Sequence, residues 1–282
     1  MAGRCYQVGA VHELPKGVAP ESSGVAASAT VPGAFYLVDD GTGADGIVAV
    51  RSNGSLIARI PVAGMSARNA EALAAGPCGS RAGRCLYVGD IGDNAAARAS
   101  ITVYRVPEPT LSPPPRTALP ADSWRYTYPD GPHNAEALVA GPDGALLVLT
   151  KSAPDPTTGQ VPPHRIYRAP AGGGALVFVA SYRPPTPAFP AQSLFTGTVV
   201  TDASYRSGRM LLLTYDEVIE YRAPTPGADP ATFPSWPHAE LPAPTMIQSE
   251  GITADLAGCG YAVTSEEGPD GSRAALAGVT CR

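Results

Sequence analysis

Lysine and positive charge are scarce in this sequence. Of its 282 residues only Lys16 and Lys151 are lysines, and the formal net charge at pH 7 is −5. Proteins that bind nucleic acid need a basic surface to neutralise the phosphate backbone. The composition therefore argues against a nucleic-acid partner.

Long apolar runs are also absent. No segment approaches the roughly 18 consecutive apolar residues of a membrane-spanning helix. The first residues, MAGRC, lack the apolar centre of a signal peptide. We therefore expect a soluble protein with no membrane partner.

The cysteines lack the C-x-x-C spacing of structural zinc sites. Two of the five flank the short loop CGSRAGRC, which a disulfide between Cys78 and Cys85 could close. Cys5 and Cys259 compete as partners for Cys281. Disulfides favour an oxidising compartment and hence a secreted protein whose signal peptide lies outside this sequence. The alternative is a cytosolic protein with reduced thiols.

Familiar catalytic and nucleotide-binding motifs are missing as well. The sequence holds no G-x-S-x-G, P-loop or H-E-x-x-H motif, which leaves the common nucleophilic and zinc-dependent mechanisms without support. Residues 41–46, GTGADG, match the G-x-G-x-x-G fingerprint of dinucleotide-binding proteins. A strand-like run, IVAV, follows them where nucleotide binding requires a helix, so we expect no nucleotide site there.

Turn residues, in contrast, are abundant. Glycine and proline number 31 each, roughly double their average share. Hydrophobic residues make up 44% of the chain, which is too many for a disordered protein. The composition predicts short strands joined by tight turns, and the length suits a large all-β domain.

One pattern occurs five times along the chain. Each copy starts at an acidic residue, continues through small apolar residues and a turn, and ends in an aliphatic strand. The copies are ESSGVAASATVPGAFYLVDD from Glu21, EALAAGPCGSRAGRCLYVGD from Glu71, EALVAGPDGALLVLTK from Glu136, DASYRSGRMLLLTY from Asp202 and EGITADLAGCGYAVTSE from Glu250. Further strand-like runs follow each copy, and a period of about 50 to 65 residues with about four strands is typical of β-propeller blades.

These repeats predict an all-β fold, a five-bladed β-propeller of four-stranded antiparallel blades in which residues 1–282 form one domain. The blades start near residues 21, 71, 136, 202 and 250. The fifth copy ends at its third strand. Residues 5–15 are predicted to supply the missing strand and to close the ring.

The acids that open the repeats are candidates for a metal site. In a hairpin the start of the first strand lies beside the end of the second, so Glu136 is expected beside Lys151 and Glu71 beside Asp90. The acids should converge at one mouth of the central channel: Glu21, Glu71, Glu136, Asp202 and Glu250.

A ring of carboxylates needs compensation, because two like charges at about 4 Å repel by about 4 kcal/mol at an effective dielectric constant of about 20. Ca²⁺ suits such ligands, and we therefore predict a calcium ion among the five acids. In one alternative the acids accept hydrogen bonds from backbone amides of the next blade. In another they share protons or remain solvated.

The loop GDIGDN, residues 89–94, lies between two strand-like runs. Its glycines permit a tight backbone path. We predict that Asp90 shapes the cation or ligand site together with the ring of acids. The alternative is a network of turn hydrogen bonds made by Asp90, Asp93 and Asn94.

The segments LYVGDIGDN, VYRVPEP, NAEAL, LTK and SEEG resemble a family of secreted bacterial β-propellers, especially from actinobacteria. Its members are described as esterase-like, phytase-like or WD40-like. The resemblance covers nearly the whole chain. It implies a propeller and an exported protein, and it leaves the activity open.

Two functions fit this arrangement. The first is a metal-dependent hydrolase of a small ester, lactone or phosphate ester. In it a carboxylate acts as base, Lys151 stabilises negative charge, and Tyr215 or His133 passes protons, with Asp90 as a further catalytic candidate. The alternative is a propeller that binds a ligand or protein without chemistry. In either case we expect a monomer with a small molecule at the channel mouth.

Overall fold

The structure, a computed structural model, describes residues 5–186 and 198–282. It is all-β, and five sheets form the five blades of a β-propeller, which confirms the predicted fold. Within the described ranges no helix has the length and apolar character needed to cross a membrane.

The blades follow one another along the chain. Strand β1 (Tyr6–Glu13) comes first, and the first blade then consists of β2 (Ser22–Ala27), β3 (Ala34–Asp39), β4 (Gly46–Arg51) and β5 (Leu56–Pro61). The second blade consists of β6 (Ala70–Cys78), β7 (Arg81–Asp90), β8 (Ile101–Pro107) and β9 (Asp122–Thr127). In both blades the strands are antiparallel and neighbours in sequence are neighbours in the sheet.

The third and fourth blades repeat this order with small additions. The third consists of β10 (Ala135–Ala140), β11 (Leu146–Thr150), β12 (His164–Ala169) and β14 (Val177–Tyr182). The short β13 (Gly174–Ala175) pairs in parallel with β9 of the second blade. The fourth consists of β15 (Val200–Arg206), β16 (Arg209–Thr214), β17 (Val218–Arg222) and β18 (His238–Leu241), with a 3₁₀-helix at Pro230–Ser235.

The fifth blade joins the two ends of the chain. It consists of β19 (Ser249–Ala254), β20 (Tyr261–Ser265), β21 (Ala275–Cys281) and the N-terminal β1. Tyr6 of β1 lies opposite Cys281, and Glu13 lies opposite Ala275. The predicted closure by the N-terminal strand is therefore confirmed.

Burial decreases from the channel outwards. The innermost strands β2, β6, β10, β15 and β19 contact one another in a ring. Strands β2, β10 and β19 are buried at every residue, because blades pack against both faces. Apolar side chains fill the spaces between blades, such as Tyr36, Leu86 and Val106 between the first and second. Hydrophobic packing between blades thus holds the channel in place.

A β-bulge interrupts the start of every innermost strand. The register shifts lie between Ser22 and Gly24, Ala70 and Ala72, Ala135 and Ala137, Val200 and Asp202, and Ser249 and Gly251. A bulge leaves one residue unpaired and re-aims its side chain. The unpaired residues are Ser23, Glu71, Glu136, Thr201 and Glu250.

Two disulfides are formed. Cys78 pairs with Cys85, as predicted from the short loop between them. Cys259 pairs with Cys281 across the fifth blade, which leaves Cys5 as an exposed thiol. The competition for Cys281 is thus resolved in favour of Cys259.

Candidate functional site

Three glutamates occupy equivalent positions at one mouth of the channel. Glu71, Glu136 and Glu250 are the bulge residues of their strands, and each is at most 4% exposed. In the other two blades the bulge residues are Ser23 and Thr201. The register therefore differs from the predicted alignment of five equivalent acids.

Lys151 supplies the positive charge at this mouth. Its Nζ lies 3.2 Å from Glu136 Oε1 and 3.9 Å from Glu250 Oε1. It also donates to Tyr215 OH at 2.8 Å and lies 4.9 Å from the centre of the Tyr215 ring. The predicted neighbours Glu136 and Lys151 are therefore in contact. The ammonium lies between carboxylates for which the sequence predicted a metal ion.

The protonation of these groups follows from burial and mutual charge. Burial raises the pKa of Glu71 to about 10, and the charges of Glu136 and Asp40 add to the effect. Burial also raises the pKa values of Glu136 and Glu250, while Lys151 opposes the rise in both. Although burial disfavours the ammonium, these two carboxylates raise the pKa of Lys151. At neutral pH Glu71 is therefore neutral and Lys151 is charged.

One oxygen of Glu250 lacks a hydrogen-bond partner among the described residues. Glu136 Oε1 contacts Lys151 and also accepts a hydrogen bond from Asn134 Nδ2 at 3.1 Å. Glu250 Oε2, in contrast, is buried and has no hydrogen-bond partner among the described residues. A buried, unpaired carboxylate oxygen favours a proton or a bound donor. Glu250 is thus the member of the cluster that is best placed to take a proton.

Asp202 has a different role in the structure. Its Oδ2 accepts a hydrogen bond from the backbone N of Ile252 in the next blade, and its Oδ1 accepts one from the N of Ala203, both at 2.7 Å. Burial raises its pKa, and the two amides oppose the rise. For Asp202 the contact with Ile252 agrees with the alternative in which the acid accepts a hydrogen bond from a backbone amide of the next blade.

Glu21 belongs to a second acidic cluster. One oxygen from each of Glu21, Asp39 and Asp40 lies within 4.8 Å of the others. Burial and the neighbouring Glu21 raise the pKa of Asp40 to about 7. Burial and the charges of Glu136 and Glu21 likewise raise the pKa of Glu266 to about 7, against the effect of Lys151. Three converging carboxylates are a donor set that fits a hard cation such as Ca²⁺.

Asp90 lies at the end of β7 and is 3% exposed. Its Oδ1 accepts hydrogen bonds from the backbone N of Arg68 at 3.1 Å and of Asn69 at 3.0 Å, and it forms an ion pair with Arg98 at 2.9 Å. These contacts fix the segment that leads to Glu71. In the structure Asp90 therefore acts on the site by holding the backbone around it.

The rest of the GDIGDN loop is equally well bonded. Asp93 accepts from the backbone N of Ala97 at 3.0 Å and of Arg98 at 2.7 Å. Its own N donates to Asn134 Oδ1 at 2.6 Å. Since Asn134 also donates to Glu136, the loop of the second blade positions an acid of the third.

His133 lies in a separate aromatic cluster. Its Nε2 is 3.2 Å from Asp130 Oδ1, and its ring packs edge to face against Tyr128 at 5.1 Å between centroids. Tyr167 donates to the same Asp130 carboxylate at 2.8 Å. The structure gives His133 no contact with the glutamates within the described part of the chain. Its predicted role in proton transfer stays a prediction.

Sequence reasoning missed Asp40 as a member of the site and did not foresee the bulges. The signal for Asp40 was the pair Asp39-Asp40 at the end of β3, opposite Glu21 in the first hairpin. The bulges left no comparable signal, because they depend on pairing between strands.

No family model and no curated protein matches the chain. Among solved structures, a GH43_1 enzyme from Xanthomonas citri has a TM-score of 0.51 at 12% identity, over 96% of this chain and 89% of that one. The β-propeller domain of Cps50 (Swd1) from Myceliophteria thermophila has a TM-score of 0.40 at 12% identity, over 96% and 99%. A periplasmic gluconolactonase from Pseudomonas aeruginosa has a TM-score of 0.37 at 16% identity, over 96% and 66%.

These likenesses concern the β-propeller fold alone. The resemblance of the GDIGDN and NAEAL segments to secreted actinobacterial propellers stays a prediction.

Proposed function

We propose that the protein is a hydrolase of small esters or lactones whose reaction centre consists of Glu250, Lys151 and Tyr215. The observation that carries the proposal is a charged ammonium beside a buried glutamate that keeps one oxygen unpaired. Lys151 retains 16% side-chain exposure, so a substrate oxygen has a route to it. Titratable groups whose pKa values are shifted by burial and by a specific charge partner are typical of catalytic sites.

The geometry suggests one chemical sequence. Glu250 Oε2 takes a proton from a water molecule as the water oxygen attacks the carbonyl carbon of the substrate. The carbonyl oxygen gains negative charge beside Lys151, whose fixed ammonium stabilises it. The bond to the leaving alcohol then breaks, and the proton returns from Glu250 through the hydroxyl of Tyr215 to the alcohol oxygen. Tyr215 contacts both Lys151 and Glu250, which suits it to this transfer.

The positive charge of Lys151 excludes a role as a nucleophile. The two flanking glutamates raise its pKa, so the amine is protonated at neutral pH and is not a nucleophile. Glu136, held by Lys151 and Asn134, keeps the ammonium in position. The lysine therefore acts through its charge.

We further propose that Ca²⁺ binds at Glu21, Asp39 and Asp40. When bound, it would supply a Lewis acid that polarises a substrate oxygen or lowers the pKa of a coordinated water. Asn69 joins this cluster to the reaction centre, because its Nδ2 donates to Asp40 Oδ2 at 3.3 Å and its backbone leads directly to Glu71.

The proposal includes export and a monomeric state with a small-molecule substrate. Two disulfides support export, since such bonds persist in oxidising compartments.

The test is a hydrolysis screen of the purified protein with short-chain esters, lactones and phosphate esters, before and after chelation. We expect ester or lactone hydrolysis that Lys151→Met reduces at least about a hundredfold, as loss of an oxyanion donor does. Glu250→Gln should reduce it at least about a hundredfold, as loss of a general base does. Lys16→Met, at the other lysine, should leave the rate unchanged.

Each part of the proposal has its own contrary result. Equal rates in Glu250→Gln and wild type would exclude the assigned base. Activity that survives chelation would remove the calcium requirement and leave the lysine centre in place. Binding of panel compounds without turnover would instead support the non-catalytic alternative.

A further inference from the structure

The channel has a cavity at the end opposite the glutamates. Its volume is about 380 Å³, and the ends of the innermost strands line it, including Ala74, Ala140, Ala203 and Thr253. Glu250, Lys151 and Tyr215 do not line the cavity, and Thr253, its first lining residue in β19, lies three positions beyond Glu250, which corresponds to about 10 Å along a strand. The cavity is therefore separate from the proposed reaction centre and falls within the size range of small-molecule sites, about 300–1,000 Å³.

The charge at this end is positive. Arg84 and Arg206 both line the cavity. Arg84 is neutralised by Glu108, with Nη1 2.7 Å from Oε2. Arg206 donates from Nη2 to the backbone O of Leu256 at 2.5 Å and forms no ion pair within residues 5–186 and 198–282. One guanidinium in the cavity wall thus keeps an uncompensated charge.

Two hydroxyl groups in the same cavity lining, those of Ser204 and Thr253, add hydrogen-bond donors. Ser204 Oγ accepts from the N of Ala254 at 3.1 Å, and Thr253 Oγ1 accepts from the N of Ala27 at 3.2 Å. Among the described residues neither hydroxyl donates to a partner, so both protons are free. The remaining wall is largely apolar, with Val25, Leu73 and Leu138 among its members.

We propose that this cavity, formed around Arg206, Ser204 and Thr253, binds a small monocarboxylate with a short apolar body. The guanidinium and the two hydroxyls match the oxygens of one carboxylate, since charge-assisted hydrogen bonds to carboxylates are among the strongest in proteins. The apolar wall matches a short hydrocarbon chain. The glutamates at the other mouth repel anions, so the same ligand is directed to this end of the channel.

An NMR titration with hexanoate and with hexanamide tests the proposal, because the two ligands share shape and differ in charge. We expect hexanoate to bind and hexanamide to bind about tenfold more weakly or worse, as loss of a charge-assisted hydrogen bond implies. Arg206→Met should weaken hexanoate binding about tenfold or more. Arg59→Met is the matched control, since Arg59 also donates to a backbone carbonyl, that of Gly17, and lies outside the cavity.

Equal affinity for hexanoate and hexanamide, no binding of hexanoate, or an unchanged affinity in Arg206→Met would each overturn the proposal. If Arg206→Met fails to fold, the ligand pair on the wild-type protein still decides. In that case the shifts caused by hexanoate must map to residues 203–206 and 253–256, and shifts confined to the glutamate mouth would overturn the assignment.

Discussion

The charge balance at Lys151 dominates the site at the scale of single residues. Glu136 and Glu250 are buried and share one ammonium, while Glu71 avoids repulsion by staying protonated. Removing one partner of a buried ion pair is much more costly than never having formed the pair, because an uncompensated charge remains in a poorly solvated place.

Lys151→Met should therefore lower the free energy of unfolding by about 3–5 kcal/mol at neutral pH. Chemical denaturation measures this change. Adding Glu136→Gln and Glu250→Gln to the same chain should recover most of the loss, since no buried charge then needs a partner. Lys16→Met is exposed and should have no effect. If Lys151→Met alone is as stable as wild type, the ion pairs contribute little to stability.

The raised pKa values of Asp40 and Glu266, each about 7, predict a pH dependence of stability. In the unfolded chain both carboxyl groups titrate near pH 4. Between about pH 4 and 7 the folded state therefore binds more protons than the unfolded state. The free energy of unfolding is therefore higher at low pH and falls as the pH rises through 7. We expect a lower melting temperature at pH 8 than at pH 6.5 without calcium.

Calcium should reverse this loss, because it binds ionised carboxylates. Added calcium should raise the melting temperature more at pH 8 than at pH 6.5. In the double variant Asp40→Asn/Glu266→Gln, the melting temperature should fall less between pH 6.5 and pH 8. An identical decline in that variant would assign the pH dependence to other groups.

At the scale of elements, the innermost strands approach one another so closely that some positions accept only glycine. A Cβ atom on Gly24 of β2 would lie 2.4 Å from the backbone N of Leu73 in β6. A Cβ on Gly92 would lie 2.0 Å from Asn69 Oδ1 and 2.6 Å from Glu71 Cγ. Gly92 of the GDIGDN loop thus leaves space for Glu71, which gives a physical reason for a glycine at this position of the motif.

Gly24→Ala should destabilise the protein by about 1–3 kcal/mol, because the first blade must move away from the second. Gly278→Ala is the matched control, since an added Cβ there meets no atom within 4 Å, and its effect should stay within about 0.5 kcal/mol. Denaturant unfolding of both variants measures the difference. Equal stability of Gly24→Ala and Gly278→Ala would mean that the first and second blades move apart at this contact without a measurable loss of stability.

At the scale of the whole molecule, stability depends on closing the ring. Strand β1 covers the edge of β21, and Leu14, which follows β1, is 1% exposed in the core beside the first blade. Without β1 the fifth blade has an open edge, and the two ends of the ring lose a shared sheet.

Deleting residues 1–14 should lower the melting temperature by at least about 10 °C, at about 2–4 °C per kcal/mol for a chain of this size. A synthetic peptide of residues 5–15 added in excess should restore part of the loss, which separates loss of the strand from a general effect of truncation. An unchanged melting temperature would contradict the role of the closure.

The sequence alone determined the number of blades, the closing strand and the contact between Glu136 and Lys151. These features follow from local rules: strands alternate with turns at a regular period, and a hairpin places the start of one strand beside the end of the next. The disulfide between Cys78 and Cys85 followed in the same way from a short loop.

Only the tertiary structure decided which acids meet. A shift of one residue turns a side chain to the other face of a strand, and the bulges introduce such shifts. Asp202 lies one position beyond its bulge and bonds the amide of Ile252, whereas Glu250 occupies its bulge and contacts Lys151. A lysine thus lies where the sequence predicted a metal ion. That arrangement depends on distances between blades, which no single segment of the chain encodes.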